Sequence, residues 1–137
     1  KDYKLQDPWK SVRHTIIDLG DDIFTRGKPH PMIDFTFRKE RMLQESKDKE
    51  VAVVMFDLVL GWGANVEPIK ELKDTILQAK KNAANEILFC SVIVGTEKDI
   101  QNYTYVEKKL NQLGVITFNS NVAMSEFVGK VVSGLQS

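Results

Sequence analysis

A chain of 137 residues with 42% hydrophobic residues is large and apolar enough for one globular domain, which excludes disordered and collagen-like classes. Nineteen Lys and Arg balance nineteen Asp and Glu, so no net charge draws the chain to nucleic acid or to an anionic membrane. A single cysteine excludes an internal disulfide and fits a cytoplasmic location, and no apolar stretch approaches the roughly 20 residues of a membrane span.

The first 13 residues differ in composition from those that follow. They are polar around Pro8 and Trp9, and we interpret residues 1–13 as the remnant of a linker from an upstream domain, which leaves residues 14–137 as the folded domain. The β-branched run HTIIDL at residues 14–19 predicts the first strand of that domain, ended by a turn.

The next segment contains the more interesting of the two histidines. Residues 25–31, TRGKPHP, predict a stiff loop, because two prolines bracket His30 and keep the backbone extended. His30 is a candidate nucleophile, phosphoryl acceptor or general base near neutral pH, with a purely structural role in a surface loop as the alternative. Residues 36–48 then have the composition of a helix.

The most informative segment is residues 51–65, VAVVMFDLVLGWGAN. Ten nearly continuous apolar residues with Asp57 as the only charge predict a central strand that is buried on both faces of a parallel sheet. The Asp57 carboxylate is then either functional or a cap for a nearby loop, because a buried charge needs a partner. Gly61 and Gly63 let the chain turn tightly at the carboxyl end of this strand, where open α/β sheets bind their ligands.

The second half of the chain alternates between helical and strand patterns. Its predicted elements are a helix from Pro68, a buried strand over 87–94, a helix ended by Gly114, a strand over 115–118 and a last helix whose apolar stripe runs to Leu135. Strands that alternate with helices predict a parallel sheet with helices on both faces. We therefore expect a three-layer, flavodoxin-like α/β domain.

Two glycine-containing loops leave the carboxyl ends of the two long strands. The candidate substrate- or phosphate-binding residues in these loops are Gly61, Gly63, Asn65, Gly95, Thr96 and Glu97. Backbone N–H groups in such loops, with the positive end of the following helix, can hold a phosphate or a carboxylate. Alternatively the glycines only satisfy turn geometry, since neither loop matches a phosphate-binding or dinucleotide-binding fingerprint. We expect no metal site.

Two further chemical possibilities are less favoured. Cys90 lies within an apolar run, where a buried structural role is expected because burial raises the thiol pKa and makes the thiolate scarce. Asp21 and Asp22 are similar to the acidic pair of phosphoryl-accepting receiver domains, but the strand before the last helix ends in Asn119 and Ser120 rather than in a lysine.

Four motifs carry a resemblance to a known family. LGDDIFTRGKPHPMID, DLVLGWGAN, VGTEKD and LGVITFNSNVAM, in this order, resemble the FdrA family, a branch of the acyl-CoA synthetases related to succinyl-CoA synthetase. The resemblance covers residues 14–135, and GKPHPMID and VGTEKD are its most specific parts. It implies a flavodoxin-like CoA-ligase domain, the carboxyl-terminal part of a larger enzyme.

The resemblance also implies cofactors and partners. CoA and a nucleotide belong to the whole enzyme, and neither is expected to bind tightly to this domain alone. The implied partners are an upstream CoA-binding domain or a partner subunit, a small carboxylate or acyl phosphate as substrate, and further copies in an oligomer. The phosphohistidine segment GHAGA of succinyl-CoA synthetase has no match here, so His30 does not inherit that role and the isolated domain is expected to be inactive.

Two alternative functions stay open from the sequence. FdrA-like proteins are also associated with a subunit of an oxamate carbamoyltransferase in allantoin breakdown. That reaction, too, would bring a carboxylate-derived acyl group together with a phosphate. The absent phosphohistidine segment leaves a non-catalytic α/β interaction module as the other possibility.

Overall fold

Three parallel strands form the sheet in the computed structural model, which describes residues 4–135. The strands are β1 (Val53–Val59), β2 (Leu88–Val94) and β3 (Val115–Phe118), and they lie in the order β1-β2-β3. In the register of the sheet, Val53 lies beside Leu88 and Phe89 beside Val115. The strands predicted at 51–60, 87–94 and 115–118 are thus present.

Five helices accompany the sheet in the described part of the chain. They are α1 (Asp22–Thr25), α2 (Thr36–Glu45), α3 (Pro68–Asn82), α4 (Tyr103–Gln112) and α5 (Asn121–Leu135). Proline at the first position favours the start of α3, and Lys80 and Lys81 in its last turn complement the helix dipole. Gly114 follows α4 with a φ of 72°, a left-handed conformation that ends the helix. No helix among residues 4–135 is long and apolar enough to cross a membrane.

The larger hydrophobic core lies on one face of the sheet, beneath α2, α3 and α4. Leu58 of β1 and Phe89 of β2 meet Leu72 and Ile76 of α3 and Leu110 of α4, and none of the five is more than 1% exposed. The apolar positions of α3 recur at helical spacing, so one stripe of that helix is buried while its lysines stay in water.

A smaller core lies on the opposite face, beneath α5 alone. Met124 and Val128 of α5 are buried against Cys90 and Val92 of β2. The predicted apolar stripe of this helix is only partly buried, because Leu135 lies past the sheet and is 67% exposed. Helices therefore flank both faces of the sheet, and the predicted α/β fold is confirmed.

The prediction that both long strands are buried on each face is correct for β2 and wrong for β1. Met55 is 40% exposed and the neighbouring Asp57 is also exposed on the α5 side of β1. The reason is that β1 is an edge strand, not a central one, and α5 contacts β2 and β3 instead. Asp57 accordingly pairs with Arg38 at 3.3 Å in a largely solvated position, not as a buried charge.

The predicted strand at residues 14–19 is also wrong. This segment makes no strand pairing, and Ile16 is completely exposed. A β-branched run favours an extended backbone, but a strand needs a neighbour for its hydrogen bonds, and no strand of the described sheet lies beside it. The turn predicted after it is present, closed by a hydrogen bond from the Asp21 N–H to the Asp18 carbonyl at 3.2 Å. Asp21 then caps α1, since its carboxylate accepts a hydrogen bond from the Ile23 N–H at 3.0 Å.

Residues before the predicted domain boundary pack onto α2. The Trp9 ring contacts Phe24 edge-on and lies 5.5 Å from the Phe37 ring, and Arg41 donates a hydrogen bond to the Pro8 carbonyl at 3.0 Å. The division between residues 1–13 and 14–137 stays a prediction.

Candidate functional site

The two glycine loops meet at the carboxyl edge of the sheet, as parallel strands require. Gln101 joins them: its side-chain carbonyl accepts a hydrogen bond from the Gly61 N–H at 2.9 Å, and its amide donates to the Asn65 carbonyl at 2.9 Å. Gln101 is only 6% exposed, so water does not replace these bonds. The six candidate residues therefore belong to one continuous edge.

Gly95 allows the two strands to end close together. A Cβ atom at Gly95 would lie 2.6 Å from the Cβ of Leu60, closer than any real contact. Only glycine permits this approach. Gly61 and Gly63 are needed for a different reason, because their φ angles of 115° and 79° are disfavoured for residues with side chains.

Met32 and Ile33, which follow Pro31, form hydrogen bonds with the first glycine loop. The Asn65 N–H donates to the Met32 carbonyl at 2.9 Å, and the Asn65 side-chain amide donates to the Ile33 carbonyl at 2.8 Å. The Asn65 side-chain oxygen accepts from the Glu67 N–H at 2.9 Å. Asn65 thus fixes the entrance to α3 and ties it to the loop that follows Pro31.

The second loop is closed by its own carboxylates. Asp99 accepts hydrogen bonds from the Thr96 N–H at 2.5 Å and from the Thr96 hydroxyl at 3.1 Å. Glu97 accepts from the Asn102 amide at 3.0 Å and from the Thr104 hydroxyl at 2.5 Å. These donors at the start of α4 therefore already have anionic partners within the chain.

The start of α3 differs from the start of α4. Its N-cap residue, Glu67, makes no side-chain capping bond, whereas Asn102 caps α4 by accepting from the Tyr105 N–H at 2.9 Å. The positive end of a helix that lacks a side-chain cap favours an external anion or polar ligand. The start of α3 nevertheless carries the Glu67 and Glu71 carboxylates, and Pro68 has no N–H, so the helix end itself is not an open anion site. The Trp62 and Gly63 N–H groups, which make no hydrogen bond among the described residues, are the donors that this loop offers to an acyl or phosphoryl oxygen.

An open depression of about 550 Å³ lies beside the second loop. Gly95, Thr96 and Glu97 line it together with Tyr103 and Asn119. Burial, with the negative charges of Glu107 and Glu97, raises the pKa of Tyr103, so its phenol stays protonated and can donate a hydrogen bond at neutral pH.

Three residues of this edge were absent from the predicted site. Gln101 and Tyr103 carry no sequence signal, because a glutamine or tyrosine near a helix start is ordinarily a surface residue. Asn119 follows β3, so its place at the carboxyl edge is deducible in principle from the strand order.

The other candidate residues take no part in the hydrogen bonds that join the two loops. His30 is exposed, its Nδ1 accepts a hydrogen bond from the Met32 N–H at 3.2 Å, and its ring borders Gly20. Cys90 is completely buried in the core under α5, and burial raises the pKa of its thiol. Its geometry is that of a structural residue. No group of His, Cys, Asp and Glu suited to a metal ion occurs within residues 4–135.

This parallel α/β domain with paired loops at one sheet edge is a CoA-ligase domain. The sequence model of the CoA-ligase family matches residues 4–131, so the chain belongs to that family. Among curated proteins it is similar to the uncharacterized protein YahF of Escherichia coli (strain K12), with 38% identity over 136 residues. The similarity covers 94% of this chain and 26% of YahF, so the chain spans about a quarter of that relative's length.

Proposed function

We propose that the chain is the ligase-type domain of an FdrA-like acyl-CoA synthetase, related to succinyl-CoA synthetase, and that it supplies loops to an active site completed elsewhere. The observation that carries the proposal is the membership of the CoA-ligase family over residues 4–131, combined with two glycine loops joined by Gln101 at the sheet edge. The proposed substrate is a short carboxylate or its acyl phosphate.

The two loops have different parts in this proposal. Gly61, Gly63 and Asn65 shape the loop that leads into α3. The Gly61 and Asn65 N–H groups bond to Gln101 and Met32, so the N–H groups of Trp62 and Gly63 are the ones that stabilise the negative charge of an acyl or phosphoryl oxygen. Gly95, Thr96 and Glu97 form the neighbouring wall, where the carboxylates have partners within the chain. Glu97 disfavours a second anion at that wall, because like charges repel.

The charge of the second loop supports the proposal that this domain alone does not bind CoA tightly. The stretch over 95–99 carries two carboxylates, Glu97 and Asp99, against one lysine, Lys98, whereas CoA is a polyanion. We therefore propose that CoA and the nucleotide are held by an upstream domain or a partner subunit, and that residues 1–137 alone form no thioester. Proximity of the reacting groups is lost when those parts are absent.

The test uses the natural protein that contains this chain, purified with any subunit it associates with. Thioester formation is measured with CoA, ATP and a panel of short carboxylates, beside a parallel assay with carbamoyl phosphate and oxamate. The first assay should give product. Product in the second assay alone would replace the proposal with a carbamoyltransferase, and activity in neither would contradict both.

A matched pair of variants tests the loop assignment. Gly63 and Gly27 have φ angles of 79° and 74°, and a Cβ on either would meet nothing within 4 Å. Gly63→Val and Gly27→Val therefore impose similar backbone strain. We expect Gly63→Val to lower kcat/KM by more than about tenfold, a cost of ~1.4 kcal/mol in the transition state, while Gly27→Val loses only stability. Equal activity losses would make Gly63 a structural residue.

A further inference from the structure

Four strongly exposed apolar side chains surround the first glycine loop. Trp62 is 95% exposed, Ile100 65%, Val66 64% and Ile33 50%, and we call this set the Trp62 patch. Single exposed apolar residues are common on protein surfaces, but a group of them at one edge marks an interaction surface. Tryptophan is also the residue most enriched among those that dominate binding energy at interfaces.

Hydrogen bonds hold the three segments of the Trp62 patch together. Asn65 donates to the Ile33 carbonyl at 2.8 Å, and Gln101 donates to the carbonyls of Gly61 and Asn65 at 3.2 and 2.9 Å. Ile33 itself accepts one of these bonds, and Trp62, Val66 and Ile100 adjoin Gly61, Asn65 and Gln101 in sequence. The backbone beneath the patch is thus fixed before any partner arrives, which reduces the entropy lost on binding.

Acidic residues border the Trp62 patch. Asp34 adjoins Ile33 and Asp99 adjoins Ile100, and neither carboxylate is in an ion pair among the described residues; Glu67, beside Val66, pairs with Lys70 at 2.9 Å. Hydrogen bonds from Thr36 lower the pKa of Asp34, so this carboxylate is ionised at neutral pH. A second copy of the chain would bring like charges together, whereas a surface with Lys or Arg around an apolar centre is complementary.

We propose that the Trp62 patch is the docking surface for a protein domain or subunit that presents an apolar pocket bordered by basic side chains, with Trp62 as its anchor. The inference deepens the proposed function, on which it rests, because a partner seated there would cover the adjoining glycine loops. It would exclude water from the edge where we place the acyl or phosphoryl group.

The test compares two tryptophans within the natural protein, purified with any subunit it associates with. Trp9 and Trp62 are the two tryptophans of this chain, and Trp9 is 45% exposed. Hydroxyl-radical footprinting with mass spectrometry gives an oxidation rate for each. In the chain without a partner, Trp62 should be oxidised faster than Trp9. In the natural protein we expect Trp9 to be oxidised faster, because the partner protects Trp62 several-fold. Faster oxidation of Trp62 there would overturn the proposal.

A matched pair of variants identifies what covers the patch. Trp62→Ser should release the partner and return the peptides containing Val66 and Ile100 to rapid oxidation, whereas Ile16→Ser, at a fully exposed apolar residue outside the patch, should not. Protection that needs added CoA or ATP would overturn the proposal in favour of a ligand surface. Protection that accompanies a dimer of this chain alone would overturn it in favour of self-association.

The footprint and the activity assay fail separately. Thioester formation in a protein whose Trp62 stays exposed would contradict the docking surface and leave the proposed function standing. Protection of Trp62 by a basic partner in a protein that forms no thioester would support the docking surface and contradict the proposed function.

Discussion

At the scale of single residues, the carboxyl edge depends on one buried amide. Gln101 accepts a hydrogen bond from the Gly61 N–H and donates to the carbonyls of Gly61 and Asn65; the Gly61 carbonyl also accepts from the Ala64 N–H at 3.3 Å. A buried polar group without a hydrogen bond costs more free energy than the bond itself contributes. One side chain therefore holds Gly61 and Asn65, two of the residues we assign to the site, in place.

Replacement of Gln101 tests this arrangement. Gln101→Leu should lower the free energy of unfolding by about 2 to 4 kcal/mol, because it leaves several loop groups unsatisfied. Gln112→Leu, at an exposed glutamine of α4, is the control and should change it by less than about 0.5 kcal/mol. Urea unfolding followed by circular dichroism measures both. Equal, small effects of the two variants would show that water forms hydrogen bonds with the loop groups that Gln101 contacts.

At the scale of elements, the free edge of β1 is closed by an arginine from α2. Ala52 and Leu60 exchange hydrogen bonds with β2, so the backbone groups of odd-numbered residues in β1 point outward. The Arg38 guanidinium donates to the Asp57 carbonyl on this outer side and pairs with the Asp57 carboxylate. A charged side chain on an edge strand is a common protection against unwanted strand pairing.

Replacement of Arg38 should lower the free energy of unfolding by more than the loss of an ordinary surface ion pair does. The Arg38 side chain is only 11% exposed, so its hydrogen bond to the Asp57 carbonyl is largely shielded from water. We expect Arg38→Met to lower the free energy of unfolding by about 1 to 3 kcal/mol and to increase aggregation through the uncovered edge.

The control for Arg38 is its neighbour in α2. Lys39 pairs with Glu71 at 2.6 Å in a more exposed position, so Lys39→Met should cost less than about 1 kcal/mol. Light scattering and thermal unfolding of the two variants measure the difference. Equal effects of Lys39→Met and Arg38→Met on stability and aggregation would show that protection of the β1 edge does not depend on Arg38.

At the scale of the whole molecule, the two cores share one sheet, so we expect them to unfold together. β2 is central and contributes Phe89 to the larger core and Cys90 to the smaller one. Loss of either core would leave one face of this central strand uncovered. Cys90 is therefore a probe of global unfolding rather than of local opening.

Thiol labelling tests this cooperativity. Cys90 should react with a disulfide reagent only at the rate set by global unfolding, and this rate should follow the urea dependence of the equilibrium. Because burial raises the pKa of Cys90 in the folded state, its contribution to stability is complete below the pKa of the unfolded thiol, about 8.5, and is lost as the pH rises above it. Fast labelling without denaturant would show local opening under α5.

The sequence by itself determined the elements whose formation depends on near neighbours. Helical spacing in α3 and the unbroken apolar run of β2 gave both elements within a few residues of their ends. The meeting of the two glycine loops also followed, because carboxyl ends of parallel strands share one edge. The motifs pointed to a CoA-ligase relationship, which the family match bears out.

Only the tertiary structure decided which groups are paired, covered or left exposed. The run at 14–19 has the residues of a strand but no neighbour, and β1 has the residues of a buried strand but lies at an edge beyond the reach of α5. Contacts between segments far apart in sequence make Gln101 a bridge between the loops and leave Trp62 exposed. Pairing and burial are properties of two segments at once, so no local pattern specifies them.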